Sequence, residues 1–248
     1  MVGRRKLVVW TACLLGGCLA GAIACWELWY SSNVLPDEQI AVGKATRSYR
    51  FVIPRRLPKP TPVVFAFHGV GDSPENMARY TKLDRLAARE GFLLVYPAAR
   101  KGMWATMEVD ERPLDANPDI QFFDELLEHL SKQFDIDSSR VYVVGMSNGA
   151  SFVQLLTAAR PDMIAAAAAH SGPDPREDRS SVGRPPIMLI VGDEDFAHFA
   201  MQSDAKRYRA GGRIVEFISI PGLGHAWSAK HNAQIWRFLS CYSAPAER

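Results

Sequence analysis

The chain has 248 residues, enough for one sizeable core and short for two domains. Hydrophobic residues make up 48% and charged residues 23%, the balance of an ordinary soluble protein. The formal charge of +2 names no partner, and Lys and Arg are scattered apart from Arg4-Arg5-Lys6 and Arg55-Arg56, so nucleic acid is not indicated.

Arg4, Arg5 and Lys6 precede Leu7 to Trp26, twenty residues without a charge. A basic start followed by an apolar run has the form of an export signal or membrane anchor, to be set aside from fold reasoning. Three fates are open. Ala22-Ile23-Ala24 has the small-x-small form of a cleavage site and would release the chain at Cys25. Leu15-Gly16-Gly17-Cys18 has the form of a lipobox, which would place lipid on Cys18. Twenty apolar residues could also remain as a span, making membrane contact through the N-terminal segment. Each fate puts the folded domain outside the cytoplasm. Cys13, Cys18 and Cys25 all lie in this leader, so Cys241 stands alone in the domain and neither an internal disulfide nor a CxxC zinc pair is expected. The polar, proline-containing stretch 31–45 is expected as a linker, with one catalytic domain over 46–248.

Tyr49 to Ile53 then reads as a strand stopped at Pro54. Pro62 to Phe67, "PVVFAF", is the nearly continuous apolar run of a strand covered on both faces. After the loop His68 to Ser73, a helix is expected with Asp72 as its cap and Glu75 three residues on, presenting Leu83, Leu86 and Ala87 to the core before Gly91 ends it. Phe92 to Tyr96 is the next strand. Asn117 caps the clearest helix, with Pro118 in its first position and Ile120, Phe123, Leu127, Leu130 and Phe134 at three- and four-residue spacing. Val141 to Val144 is a strand, followed by a turn and a helix to about Arg160. Ile164 to His170 is alanine-rich and is read as a short strand. Ile187 to Val191 and Ile214 to Ile220 complete the strands, and a final helix covers Ala229 to Leu239. Strands alternating with helices give an α/β fold: a mostly parallel central sheet with helices on both faces.

Gly145-x-Ser147-x-Gly149 lies between the Val141 strand and the helix after it. Three fixed residues are weak by themselves, and the same glycines would serve a plain β–turn–α connection. The strand–turn–helix setting is nevertheless the one a nucleophile elbow needs: the serine sits at a strained backbone angle, and side chains two positions either side would collide with strand and helix. A serine hydroxyl needs a base to take its proton and a carboxylate to orient that base. In this fold class the expected chain order is serine, acid, histidine. His198, His225 and His231 follow the acidic loop. His225, in "PGLGHAW" after the last strand, falls at the same sheet end as Ser147, whereas His231 lies in the terminal helix pattern and His129 off the apolar face of its own helix. "GDEDFAH" after the Ile187 strand offers Asp193, Glu194 and Asp195, and spacing does not choose between Asp193 and Asp195. Oxyanion donors would be the amides of Asn148, next to the nucleophile, and of Val70 in "HGVG".

The segments "FAFHGVG", "GFLLVYP", "DIDSSRVYVVGMSNGASF", "AAAAAHSG", "GDEDF" and "GLGHAW" together resemble the polyhydroxybutyrate depolymerase-like esterases, α/β-hydrolases that include feruloyl and acetylxylan esterases. The resemblance spans about Ser48 to Leu239. It implies a triad of Ser147, Asp195 and His225, the family's G-x-x-D pattern selecting Asp195. It also implies substrate contacts at Trp104, and His68, Gly69, His170 and Trp227 lie in the matching segments as further candidates to line the site. The implied activity is hydrolysis of short-chain, hydroxyalkanoate or feruloyl and acetyl-sugar esters through an acyl-enzyme, with no metal or organic cofactor. In the sequence itself the segment Ala99 to Asn117 is short and no stretch looks like a large lid domain. A serine peptidase of the same fold, or an inactive scaffold serving as an exported binding protein, is the alternative. Two departures stand out. Ala150 replaces a common glycine, and Phe196-Ala197-His198 follows the acid where the family often has a Val-Pro step.

Overall fold

The computed structural model describes residues 31–107, 109, 113–176 and 184–245. The leader, with its cleavage, lipidation and anchoring motifs, lies outside the described residues, as does 177–183 in the loop before Pro186. Among the described residues, one sheet of eight strands runs in the order β1-β2-β4-β3-β5-β6-β7-β8. The strands are β1 (Ser32–Val42), β2 (Ala45–Pro54), β3 (Thr61–Phe67), β4 (Leu93–Pro97), β5 (Ile136–Met146), β6 (Ala166–His170), β7 (Ile187–Gly192) and β8 (Val215–Ile220). β1 and β2 form an antiparallel hairpin, β2 meets β4 antiparallel, and every other pairing is parallel. The helices are α1 (Pro74–Thr81), α2 (Leu83–Glu90), α3 (Pro118–Ser131), α4 (Asn148–Ala159), α5 (His198–Ala210) and α6 (Asn232–Leu239).

The sheet divides the core in two. Val63, Phe65 and Phe67 of β3 face one side, where they pack with Phe123 of α3, Phe152 of α4 and Met201 of α5. Val64 and Ala66 face the other, with Met77 of α1, Leu86 of α2 and Phe238 of α6. All seven residues of β3 are buried, which is why this strand reads as an unbroken apolar run instead of an alternation. Helices on both faces of a mostly parallel sheet in this strand order make the α/β-hydrolase fold expected from the resemblance.

The structure corrects three expectations and adds one element. The stretch expected as a linker is β1, paired with β2 from Ser32↔Pro54 to Val42↔Ala45. It forms a sheet edge, is mostly exposed, and shifts register between Leu35 and Glu38, so its sequence shows no apolar alternation. The cap of α1 is Ser73, not Asp72. Ser73 Oγ accepts from Asn76 N at 3.2 Å while Asp72 accepts from Ser73 N, because Pro74 takes the first helical position. The single helix expected up to Gly91 is two, broken where Lys82 turns left-handed at φ 59. Finally, α5 forms the crossover between β7 and β8 without a sequence signal. Its buried face is Met201, Asp204, Ala205 and Tyr208, half of it polar, so no apolar stripe marks it.

No helix among the described residues is long and apolar enough to cross a membrane. The carboxyl ends of the parallel strands open together on one end of the sheet. There the connections after β3, β5, β6, β7 and β8 deliver His68 to Gly71, Ser147, Ser171, Asp195 and His225.

Candidate active site

Ser147 is the hinge between β5 and α4, with φ 56 and ψ −121. A non-glycine residue at positive φ is uncommon and costs backbone strain, which the surroundings must over-determine. They do. Ser147 N donates to His170 O at 2.9 Å, and Ser147 O accepts from Ala150 N and Ser151 N. The glycines on either side permit the sharp turn. A Cβ on Gly145 would lie 2.3 Å from Gly149 O, and one on Gly149 would lie 2.0 Å from Phe67 O.

The turn aims Ser147 Oγ at His225, whose Nε2 is 2.9 Å away. The other ring nitrogen, Nδ1, lies 3.0 Å from both carboxylate oxygens of Asp195. An ionised carboxylate only accepts, so Nδ1 carries the proton and Nε2 is left to accept from the serine hydroxyl. Asp195 is buried. Burial alone would raise its pKa, but hydrogen bonds from Ala197 N, the Ser171 hydroxyl and His225 outweigh it and hold the carboxyl below its ordinary range. Asp193 is exposed and accepts from Gly222 N at 2.8 Å, bracing a turn. Of the two aspartates that spacing left open, the one that reaches His225 is therefore Asp195. The other histidines are engaged elsewhere: His198 with Ser219, His129 with Gln133 and His231 with Ser228.

The cleft above these groups has a volume of about 560 Å³. Ser147 and His225 lie in its wall together with Gly69, Val70, Tyr80, Met146, Ala226 and Trp227. Asn148 is the first residue of α4, where a helix N–H has no intrahelical acceptor. Val70 follows Gly69, which lies against Ser147, and is 61% exposed in the wall of the cleft. Among the described residues, neither N–H is found in a backbone hydrogen bond outside the helices and strands.

Three residues expected to line the cleft lie behind it. His68 is buried, Nδ1 donating to Gly69 O at 2.7 Å and Nε2 accepting from Ala99 N at 3.1 Å. Burial lowers its pKa. Trp104 is fully buried, its Nε1 donating to His68 O at 2.8 Å and its ring stacked on Phe152 at 5.1 Å. These two shape the Gly69–Val70 loop from beneath. His170 is buried too. Its Nε2 accepts from Ser228 N at 3.1 Å, so the proton sits on Nδ1 and faces Ser171 Oγ at 2.9 Å. That leaves the Ser171 hydroxyl proton for Asp195. His170 thus ties the loop carrying His225 to the carboxylate that orients it.

Sequence reasoning missed several residues of this site. Besides Ser171, the Asn148 side chain accepts from Trp104 N at 2.8 Å and donates to Thr106 Oγ1 at 2.7 Å. Gln154 donates to Gly172 O at 2.7 Å and so fixes the loop beside the elbow. Ser171 and Gly172 stand within "AAAAAHSG", but no spacing rule links them to an acid after the neighbouring strand. No group of three His, Cys, Asp or Glu residues among the described residues is arranged to hold a metal ion.

Comparison with known proteins agrees with this architecture. The chain is 29% identical over 163 residues to NocK of Nocardia uniformis subsp. tsuyamanensis, covering 63% of this chain and 47% of that one. It is 26% identical over 230 residues to a bifunctional acetylxylan esterase/xylanase of Neocallimastix patriciarum, covering 79% of this chain and 33% of the relative. A feruloyl esterase B of Neurospora crassa is 28% identical over 128 residues, with 51% and 44% covered. The chain thus spans less than half the length of these curated relatives. Among solved structures, a serine-to-alanine mutant of the feruloyl esterase module from Clostridium thermocellum, complexed with sinapinate, superposes with a TM-score of 0.70 at 13% identity, covering 88% of this chain and 90% of that one. At that identity the likeness speaks for the fold. The family model described as esterase PHB depolymerase matches residues 48–210, and the chain belongs to that family.

Proposed function

We propose that this protein is a serine carboxylic-ester hydrolase with Ser147 as nucleophile, His225 as general base and acid, and Asp195 as the residue that orients the imidazole. The observation that carries the reading is the unbroken hydrogen-bonded chain from Ser147 Oγ through both nitrogens of His225 to Asp195.

As the serine oxygen attacks the ester carbonyl carbon, His225 Nε2 takes its proton. The carbonyl oxygen becomes an oxyanion facing the Val70 and Asn148 amides, an arrangement that typically contributes a few kcal/mol to transition-state stabilisation. The imidazolium then gives its proton to the departing alkoxide, leaving an acyl-enzyme. A water deprotonated by His225 attacks that acyl group, and the serine leaves with the proton. This chain supplies every group these steps use.

The relatives' names bring feruloyl and acetyl-sugar esters into the proposal alongside short-chain and hydroxyalkanoate esters. The partly apolar wall of Val70, Tyr80, Met146 and Trp227 suits an acyl or aryl group. The leader directs the domain out of the cytoplasm, whether it is cleaved, lipidated or retained as an anchor.

The test compares full-length wild type with Ser147→Ala for hydrolysis of nitrophenyl acetate and for labelling by a fluorophosphonate. Loss of both in the variant supports the reading. A folded wild type that neither labels nor turns over overturns it in favour of a binding scaffold.

A further inference from the structure

The residue after the acid departs from the family pattern, and its geometry is specific. Phe196 lies over His225 with ring centroids 4.5 Å apart and planes 27° from parallel. The same phenyl is 80% exposed, so it does not pack in the core, and among the described residues the ring it meets is this imidazole.

The frame beneath the stack is rigid. The loops carrying Phe196 and His225 are joined by Glu194 N to Leu223 O at 3.2 Å and by Gly222 N to Asp193 Oδ1 at 2.8 Å. A Cβ on Gly192 would lie 1.8 Å from Leu223 O, so the two loops touch backbone to backbone. Asp195 Oδ1 also accepts from Ala197 N at 2.8 Å, and Asp195 O accepts from His198 N. This tight turn directs the intervening side chain outward, over the histidine.

We infer that Phe196 is a positioning residue for His225, holding the imidazole flat beneath its ring and stabilising the imidazolium that forms as Ser147 is deprotonated. The inference rests on the esterase reading. The negative face of an aromatic ring attracts a cation more than a neutral ring. The stack therefore strengthens as the proton moves to His225, an interaction greater in the transition state than in the ground state. Asp195 meets the ring at Nδ1 and Ser147 at Nε2. His170 and His231 are both held by Ser228, three residues on from His225, and Asp72 and Tyr80 share the cleft. Phe196 takes a face of the ring, and among the described residues it is the aromatic side chain stacked on His225.

The experiment uses full-length protein, comparing wild type with Phe196→Leu and Phe196→Tyr. Leucine keeps an apolar side chain without the aromatic face, and tyrosine restores the face. Expected for Phe196→Leu is a fall in kcat on nitrophenyl acetate of about three- to tenfold with KM unchanged. The acid limb of kcat/KM should move to lower pH, because an imidazolium without the ring over it gives up its proton more readily. Phe196→Tyr should recover both. The His225 ring resonances, titrated by NMR, should show the same displacement without reference to turnover. A rise in KM at constant kcat would make Phe196 a substrate wall and overturn the inference, as would a leucine variant indistinguishable from wild type or a loss that tyrosine does not rescue. If wild type neither labels with fluorophosphonate nor hydrolyses the ester, the esterase reading itself has failed. The NMR titration then still decides whether the stack stabilises the cation.

Discussion

Gly172 is pressed against the carbonyl of Ser147: a Cβ built on it would lie 2.0 Å from that oxygen and 2.9 Å from Ala150 Cβ. The nearest obstacle is backbone at the strained residue, so it cannot yield without moving the elbow. Gly172→Ala should therefore cost about 1–3 kcal/mol of stability and slow fluorophosphonate labelling at least about tenfold, since a displacement of the order of 1 Å at a reacting atom is expensive. Gly224→Ala is the control. It lies beside His225 but a Cβ there meets nothing within 4 Å, and labelling should stay within about twofold of wild type. Thermal melts and labelling rates of the two variants check both statements.

The two aspartates of "GDEDF" separate in the same way. Asp195→Asn keeps the size but no longer offers a carboxylate to His225 Nδ1–H, favouring the wrong tautomer. In the general Ser-His-Asp template such a change costs about 10⁴ in kcat, and a loss of that order is expected here. Asp193→Asn retains an oxygen for Gly222 N, and its kcat/KM should stay within about twofold. Steady-state hydrolysis of a nitrophenyl ester distinguishes them. Equal losses in both would mean that the loop, not the Asp195 carboxylate, is what matters.

Much of this arrangement was legible because it is written in short, contiguous signals. The apolar run Pro62 to Phe67 marks a doubly covered strand, and Gly145-x-Ser147-x-Gly149 marks a turn whose glycines are required sterically. Less legible was anything that depends on depth. His68, Trp104 and His170 stand at the right end of the sheet, yet they are buried. Whether a side chain near the strand ends is exposed or buried depends on the packing beneath it, and for Trp104 that packing is Phe67 and Phe152. β1 was hidden because an exposed edge strand needs no apolar alternation. α5 was hidden because its buried Asp204 accepts from Asp174 N and pairs with Arg207, polar contacts that periodicity does not register.

His170 makes stability depend on pH. Burial, the largest influence, lowers its pKa to about 4, with the His231 and His225 charges acting the same way and Asp195 opposing. An unfolded histidine titrates near 6.5. The folded value is the lower one, so the contribution is fully present above about pH 6.5 and is lost as pH falls toward about 4, where the unfolded chain binds the extra proton. Integrated over that window the loss is about 3 kcal/mol. His170→Gln should be less stable than wild type at pH 7, having lost the contacts to Ser228 and Ser171, but its stability should decline less between pH 7 and pH 4.5. Urea unfolding at the two pH values measures the difference. Parallel declines would show that His170 is not the group being titrated.

Asn148 combines two roles that substitution can pull apart. Its backbone N–H begins α4 beside the nucleophile, while its side chain holds the 104–106 loop through Trp104 N and Thr106 Oγ1. Asn148→Ala leaves the partly buried Trp104 N–H without that acceptor, at a cost of about 1–3 kcal/mol. The backbone N–H remains, so any loss of activity should follow the loosening of the loop. Asn148→Asp keeps an acceptor for Trp104 N and places a negative charge at a helix N-terminus, where it is favoured by about 0.3–1 kcal/mol. Its stability should therefore stay closer to wild type. The same charge would stand beside the proposed oxyanion position and oppose it, so kcat should fall further than in the alanine variant, by about 10- to 100-fold. Melting temperatures and kcat measured together should thus rank the two variants in opposite order. A common ranking would mean that the Asn148 side chain acts on the reaction only through the fold.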